Sequence, residues 1–136
     1  MSKFKIIEIK EDHYKANLSW FFGDEKDFFD VMKKNGFTGE TMIGGNGYSL
    51  FFDKYQVIWI NHKLKPDDFL RALCHELLHY VIMTLELKGV VISAKNDEAI
   101  TYFFEKMLKK CMEVDLKKII KQLIHILSIK SFNYLL

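Results

Sequence analysis

The chain has 136 residues, of which 49% are hydrophobic and 12 are phenylalanine, so we expect one domain over residues 1–136 with enough apolar side chains to fill a core. Its 20 basic and 18 acidic side chains nearly balance, which excludes the large positive surplus that draws proteins onto nucleic acid. No apolar run approaches the roughly 18 residues of a membrane span, and no signal-peptide pattern opens the chain, so we expect a cytoplasmic protein without a membrane partner.

Alternating apolar and polar residues near the amino terminus predict β-structure. Residues 4–9 and 14–20 are expected to form one or two strands, each buried on one side. Asp24 is a candidate cap for a following helix with apolar residues at helical spacing, and Gly36 is a candidate stop. This first helix is expected to serve packing alone.

The middle of the chain predicts a turn and a hairpin. The stretch Gly44–Gly47 lacks the Gly-Lys-Ser/Thr ending of a phosphate-binding loop, so we predict a flexible turn there. Residues 48–52 and 56–60 are rich in aromatic and β-branched side chains and flank a short polar stretch. Together these two runs predict a β-hairpin.

Three further helices are predicted in the carboxyl-terminal half. Pro66 suits the first turn of a helix that is mostly apolar and should run to about Leu87, before Gly89. Another helix is expected over residues 96–112, with Asn96 as its cap, and a fourth over residues 115–129.

The most informative motif lies inside the first of these helices, as His75-Glu76-Leu77-Leu78-His79. Residues four apart share one face of a helix, with Cβ atoms roughly 5 to 6 Å apart, so His75 and His79 can bind one ion. Glu76 is rotated by about 100° from His75 and can reach a water molecule instead. This HExxH pattern predicts a zinc site with Glu76 as the general base. Histidines that make ordinary hydrogen bonds are the alternative interpretation.

Zinc in a catalytic site usually takes three protein ligands, so a third ligand is expected. Glu86 shares a face with His79 but lies roughly 10.5 Å further along the axis, too far to share an ion. Asp97 and Glu98 lie at the start of the next helix, which a turn at Gly89 can fold back. We predict Glu98 as the third ligand, and a surface carboxylate favoured by the helix dipole is the alternative.

These residues resemble a compact HExxH metallopeptidase of the gluzincin type, in which two histidines and a downstream glutamate hold zinc. Their order over residues 56–104 is also similar to the small phage-associated and ImmA/IrrE-like peptidases. The long metzincin pattern is excluded, because Ile82 and Leu85 stand where it has glycine and histidine. Thermolysin-like members carry an aspartate where this chain has Tyr102, so Tyr102 or Asp97 is a candidate for a supporting or transition-state-stabilising role.

The resemblance implies an α+β zincin-like fold, with a small, mostly antiparallel amino-terminal sheet and a helical carboxyl-terminal half. It implies a metalloprotease that hydrolyses a peptide or protein substrate, with one strand of the hairpin pairing with the extended substrate. Two alternatives stay open: a non-catalytic metal-binding or regulatory module that keeps the zincin fold, and a protease with a single protein target. Cys74 and Cys111 lack the number and spacing of a disulfide framework or a cysteine zinc site.

Overall fold

The computed structural model describes residues 4–115, which contain four strands and three helices in an α+β arrangement. In chain order these elements are β1 (Lys5–Glu11), β2 (Ala16–Phe22), α1 (Glu25–Lys34), β3 (Gly47–Phe52), β4 (Tyr55–Ile60), α2 (Pro66–Leu87) and α3 (residues 97–115). The helix predicted over residues 115–129 lies, apart from its first residue, outside the described residues. Within residues 4–115, no helix has the length and apolar character needed to cross a membrane.

The strands form one mixed sheet in the order β1-β2-β4-β3. β1 pairs antiparallel with β2, and β3 with β4, whereas β2 and β4 are parallel. The parallel pair arises because the chain passes from β2 through α1 to the far edge, forms β3, and returns as β4 beside β2. Two of the three pairings are antiparallel, in agreement with the expected mostly antiparallel sheet, and the central pairing is parallel. β3 lies at an edge of the described sheet.

The sheet separates two apolar clusters, because successive residues of a strand point to opposite faces. One cluster packs α1 against the face that carries Phe21 and Trp59. The other packs α2 and α3 against the face that carries Trp20 and Ile58. The sheet is thus the middle layer, with α1 on one side and the two longer helices on the other.

Both ends of α2 agree with the sequence-based prediction. Pro66 occupies the first turn, where its missing N–H removes no helical hydrogen bond. At the other end Gly89 has φ 80, and the N–H of Val90 donates to the carbonyl of Leu85 at 2.9 Å. This left-handed glycine and the long hydrogen bond form a Schellman motif, which ends the helix after Leu87.

Gly36, with φ 104, ends α1 as predicted, whereas the other helix ends agree less closely. Asp24 occupies the N-cap position of α1, but its side chain makes no capping hydrogen bond. Asn96 precedes the first residue of α3, and its amide donates to the carbonyl of Val91 at 2.7 Å. The predicted end at Met112 is wrong, because α3 continues through the last described residue.

Candidate metal site

The HExxH residues lie in the middle of α2, and the helix divides them between two environments. Glu76, Leu77 and Tyr80 are buried, whereas His75 and His79 are exposed. α2 contacts both β3 and β4, which explains why one side of the helix is buried. Because Glu76 is rotated by about 100° from His75, it turns toward the sheet while the histidines remain at the surface.

The two histidine side chains meet at their Nε2 atoms. These atoms are 3.2 Å apart, and the ring centroids are 4.8 Å apart at an interplanar angle of 80°. Two nitrogens bound to one tetrahedral zinc at about 2.05 Å are separated by about 3.3 Å. The observed spacing therefore fits two imidazole ligands on a single ion. Without metal, the same spacing allows one neutral imidazole to donate to the other.

Glu76 sits beside this pair in a largely enclosed position. The residue is only 8% exposed, and its Oε1 lies 4.0 Å from the Nε2 of His75. Burial raises the pKa of Glu76 above its ordinary value of 4.5, and the charges of His75 and His79 offset part of this rise. Among the described residues, none donates a hydrogen bond to its carboxylate. A buried carboxylate with a raised pKa suits proton transfer better than structural anchoring.

The wall of the site opposite Glu76 is Gly47, the first residue of β3. A Cβ atom built on Gly47 would lie 2.9 Å from the Cγ of Glu76. From the sequence, this glycine is predicted only as part of a flexible turn, and its approach to the predicted base is not predicted. A usable signal was present, since a glycine at the start of a strand often marks a close approach.

The glycine-rich stretch before β3 is held in place by Glu25 of α1. Its carboxylate accepts hydrogen bonds from the N–H groups of Gly44 and Gly45 and from the hydroxyl of Tyr48, at 2.9 to 3.3 Å. Burial raises the pKa of the Tyr48 hydroxyl, and the nearby Glu25 raises it further. These contacts fix the stretch that leads into Gly47.

The structure does not bring the other predicted site residues to the histidine pair. Asp97 and Glu98 are exposed in the first turn of α3. Within residues 4–115, no side-chain hydrogen bond or ion pair joins either of them to α2. Tyr102 is 48% exposed, its ring centroid lies 5.8 Å from that of His13, and the Nζ of Lys106 lies 5.3 Å from its ring. Tyr102 therefore lies near the turn between β1 and β2, and β1 is the sheet edge opposite β3.

The packing of α3 explains this separation. The ring of Phe103 lies 6.0 Å from that of Tyr80. Tyr80 is about 100° further round α2 than His79, so α3 packs on a different side of α2 from the histidines. Within residues 4–115, no group of three or more His, Cys, Asp and Glu side chains is arranged to hold a metal ion. The assignments of Glu98, Asp97 and Tyr102 stay predictions from the sequence.

A cavity of about 870 Å³ lies elsewhere, between β2, the start of α2 and the end of α3. Its apolar lining includes Trp20, Phe69, Leu73 and Met112, and neither the histidine pair nor Glu76 lines it. The HExxH residues lie at a different surface, where α2 packs beside the edge strand β3.

Comparison of the chain with protein-family models, with curated proteins and with solved structures finds no match.

Proposed function

We propose that this protein is a zinc-dependent peptidase that hydrolyses peptide bonds beside the His75–His79 pair, next to the edge strand β3. The observation that carries this proposal is the 3.2 Å separation of the His75 and His79 Nε2 atoms, with the buried carboxylate of Glu76 beside them. A hydrolytic HExxH zinc site uses two imidazoles as ligands and an adjacent carboxylate as the general base. The zincin-like fold and the cytoplasmic location expected from the sequence form part of this proposal.

His75 and His79 would hold the ion, and zinc bound there would supply the positive charge that acidifies water and polarises the scissile carbonyl. Glu76 does not bind the ion. It takes a proton from water as the water attacks the carbonyl carbon, and then gives that proton to the nitrogen of the leaving amine. The raised pKa of Glu76 favours this role, because a base whose pKa is nearer the working pH accepts a proton more readily.

The edge of β3 that no other strand of residues 4–115 pairs with provides a place for an extended substrate. The N–H of Asn61 donates to the carbonyl of Asn46 at 2.8 Å, one position before the Gly47–Ile60 pair. Hydrogen-bonded and non-hydrogen-bonded pairs alternate along an antiparallel ladder. The N–H and C=O groups of Gly47 and Ser49 therefore point away from β4, where a substrate strand can pair with them.

A second candidate function is a non-catalytic module that binds metal or a regulatory partner. The observation that favours it is the lack of a third metal ligand beside the histidine pair within residues 4–115. Under the peptidase proposal this ligand is Glu98, which would have to approach the pair when zinc binds. A single-target protease is a form of the first proposal, since the choice of substrate depends on the surface around the site and not on the catalytic residues.

Zinc analysis of the purified protein tests the metal site. We expect about one zinc per chain, and none in the His75→Ala/His79→Ala double variant. His62→Ala is the matched control, because His62 is an exposed histidine near Asp24 and away from the pair. Equal zinc content in the wild type and the double variant would overturn the site.

Cleavage of a broad peptide library tests catalysis separately from metal binding. Glu76→Gln should retain zinc and fold, while kcat falls by about 10² or more, the lower end for general base catalysis. Retention of full activity in Glu76→Gln would exclude Glu76 as the base. A zinc-loaded wild type that cleaves neither the library nor folded protein substrates would favour the non-catalytic module.

A further inference from the structure

We propose that Gly47 is a positioning residue for Glu76: because it has no Cβ atom, the Glu76 side chain can lie against the edge strand beside the histidine pair. The catalytic consequence of this contact rests on the proposed peptidase function. The contact itself does not depend on that function, and it can be tested in the metal-free protein.

The space around Gly47 is closed on three sides. A Cβ built there would lie 2.9 Å from the Cγ of Glu76, 3.0 Å from the carbonyl oxygen of Trp59 and 3.1 Å from the Cδ1 of Ile60. The Trp59 oxygen belongs to the backbone of β4, which is paired on both sides and cannot give way easily. The Ile60 atom is the tip of a side chain. The contact with Glu76 is the shortest of the three, and it is the one that removal of the Glu76 side chain would relieve.

Position 47 requires glycine because a Cβ atom would lack space there, and not because the backbone adopts a positive φ angle. The described glycines with positive φ are Gly36, Gly44 and Gly89, and Gly47 is not among them. A residue with a side chain can therefore adopt the backbone conformation of Gly47. Glycine weakens a strand relative to residues that pack, so its presence here is best explained by the close approach of Glu76.

The helix that carries Glu76 cannot move away to make room. Leu77 and Tyr80 on the same buried side of α2 are 0% exposed, and Tyr80 stacks on Phe51 of β3 at 6.0 Å. A Cβ at position 47 would instead force the Glu76 side chain into another rotamer and move its carboxylate away from its present place near His75. The histidines point to the surface and would keep their positions.

A double-mutant cycle in the metal-free protein tests the contact directly. Gly47→Ala should destabilise the chain with Glu76 present and do so much less in a Glu76→Ala background, where no Cγ remains. We expect the two effects on the unfolding equilibrium constant to differ by about fivefold or more, which is typical of residues in contact. Should Gly47→Ala alone fail to fold, folding of the double variant would show the same coupling.

Gly39→Ala is the matched control, because the three atoms nearest to its added Cβ all belong to the ring of Phe37 and none to Glu76. It should have the same effect with and without Glu76. Equal effects of Gly47→Ala in the two backgrounds would overturn the proposed contact.

The catalytic consequence is measured with the zinc-loaded protein. Gly47→Ala should bind zinc within about twofold of the wild type while kcat falls by about tenfold or more, with a smaller change in KM because the N–H and C=O groups at position 47 remain. A wild-type kcat in Gly47→Ala would overturn the positioning role. A wild type without activity would refute the peptidase proposal instead. The double-mutant cycle would still show whether a side chain at position 47 clashes with Glu76.

Discussion

Replacement of Glu11 by glutamine should destabilise the fold at neutral pH, although Glu11 lies outside the candidate site. Glu11 is 1% exposed, and its carboxylate accepts hydrogen bonds from the backbone N–H groups of His13 and Tyr14 at 2.8 and 2.7 Å. The Nζ of Lys106 on α3 lies 3.0 Å from it. Glu11 thereby ties the turn after β1 to the third helix, and we expect its charge to matter for the packing of both.

The magnitude follows from the donors that Glu11 satisfies. The oxygen of a glutamine side chain can accept a hydrogen bond from one of the two backbone N–H groups. Its amide nitrogen then faces the other N–H group, and two donors cannot form a hydrogen bond with each other. One lost hydrogen bond to a buried charged acceptor costs about 1.5 to 3 kcal/mol, and we expect a loss of this size at pH 7. Lys106 is exposed enough to turn into water, so we assign it no share of the cost.

The same variant predicts a specific dependence on pH. Burial alone raises the pKa of Glu11, but the N–H groups of Tyr14 and His13 and the charge of Lys106 outweigh it and hold the pKa below its ordinary value of 4.5. A lowered folded-state pKa stabilises the fold above the unfolded value and loses this effect as the pH falls through the folded value. The difference between wild type and Glu11→Gln should therefore be full at pH 7 and shrink below pH 4.5.

Urea unfolding at a series of pH values measures this difference. Glu8→Gln is the matched control, because Glu8 lies on the same strand, is exposed and accepts one hydrogen bond from Ser19. We expect the control to change stability by less than about 0.5 kcal/mol. Equal losses for the two variants, or a Glu11→Gln loss that does not change with pH, would refute the reasoning.

Three further predictions concern the site and its surroundings. Glu98→Ala should weaken zinc affinity by about tenfold or more, while Glu86→Ala leaves it unchanged. Calorimetric titration with zinc measures both affinities, and equal affinities would show that Glu98 is not the third ligand. Chelation should lower the melting temperature of the wild type but not that of the His75→Ala/His79→Ala variant, and equal shifts would argue against zinc at these histidines. Ser49→Ala should stabilise the metal-free protein by about 1 kcal/mol in urea unfolding, because the buried Ser49 Oγ has no hydrogen-bond partner among the described residues. A loss of stability in this variant would contradict the prediction.

The helix of the site and the spacing of its histidines could be predicted from the sequence because both depend on local geometry. Residues four apart on a helix are neighbours whatever surrounds them, so His75 and His79 had to lie side by side once the helix formed. Pro66 and Gly89 act on the backbone at their own positions, which is why the ends of α2 agreed with expectation.

Strand order and the partners of buried polar groups depend instead on contacts between residues far apart in the chain. The sequence predicted the hairpin, but the pairing of β4 with β2 in parallel, which leaves β3 at the edge, appeared only in the tertiary structure. The contact between Gly47 and Glu76 joins residues 29 positions apart, and no local pattern specifies it. The packing of α3 likewise decided that Glu98 does not lie beside the histidines, because helix packing depends on complementary surfaces and not on the loop that joins two helices.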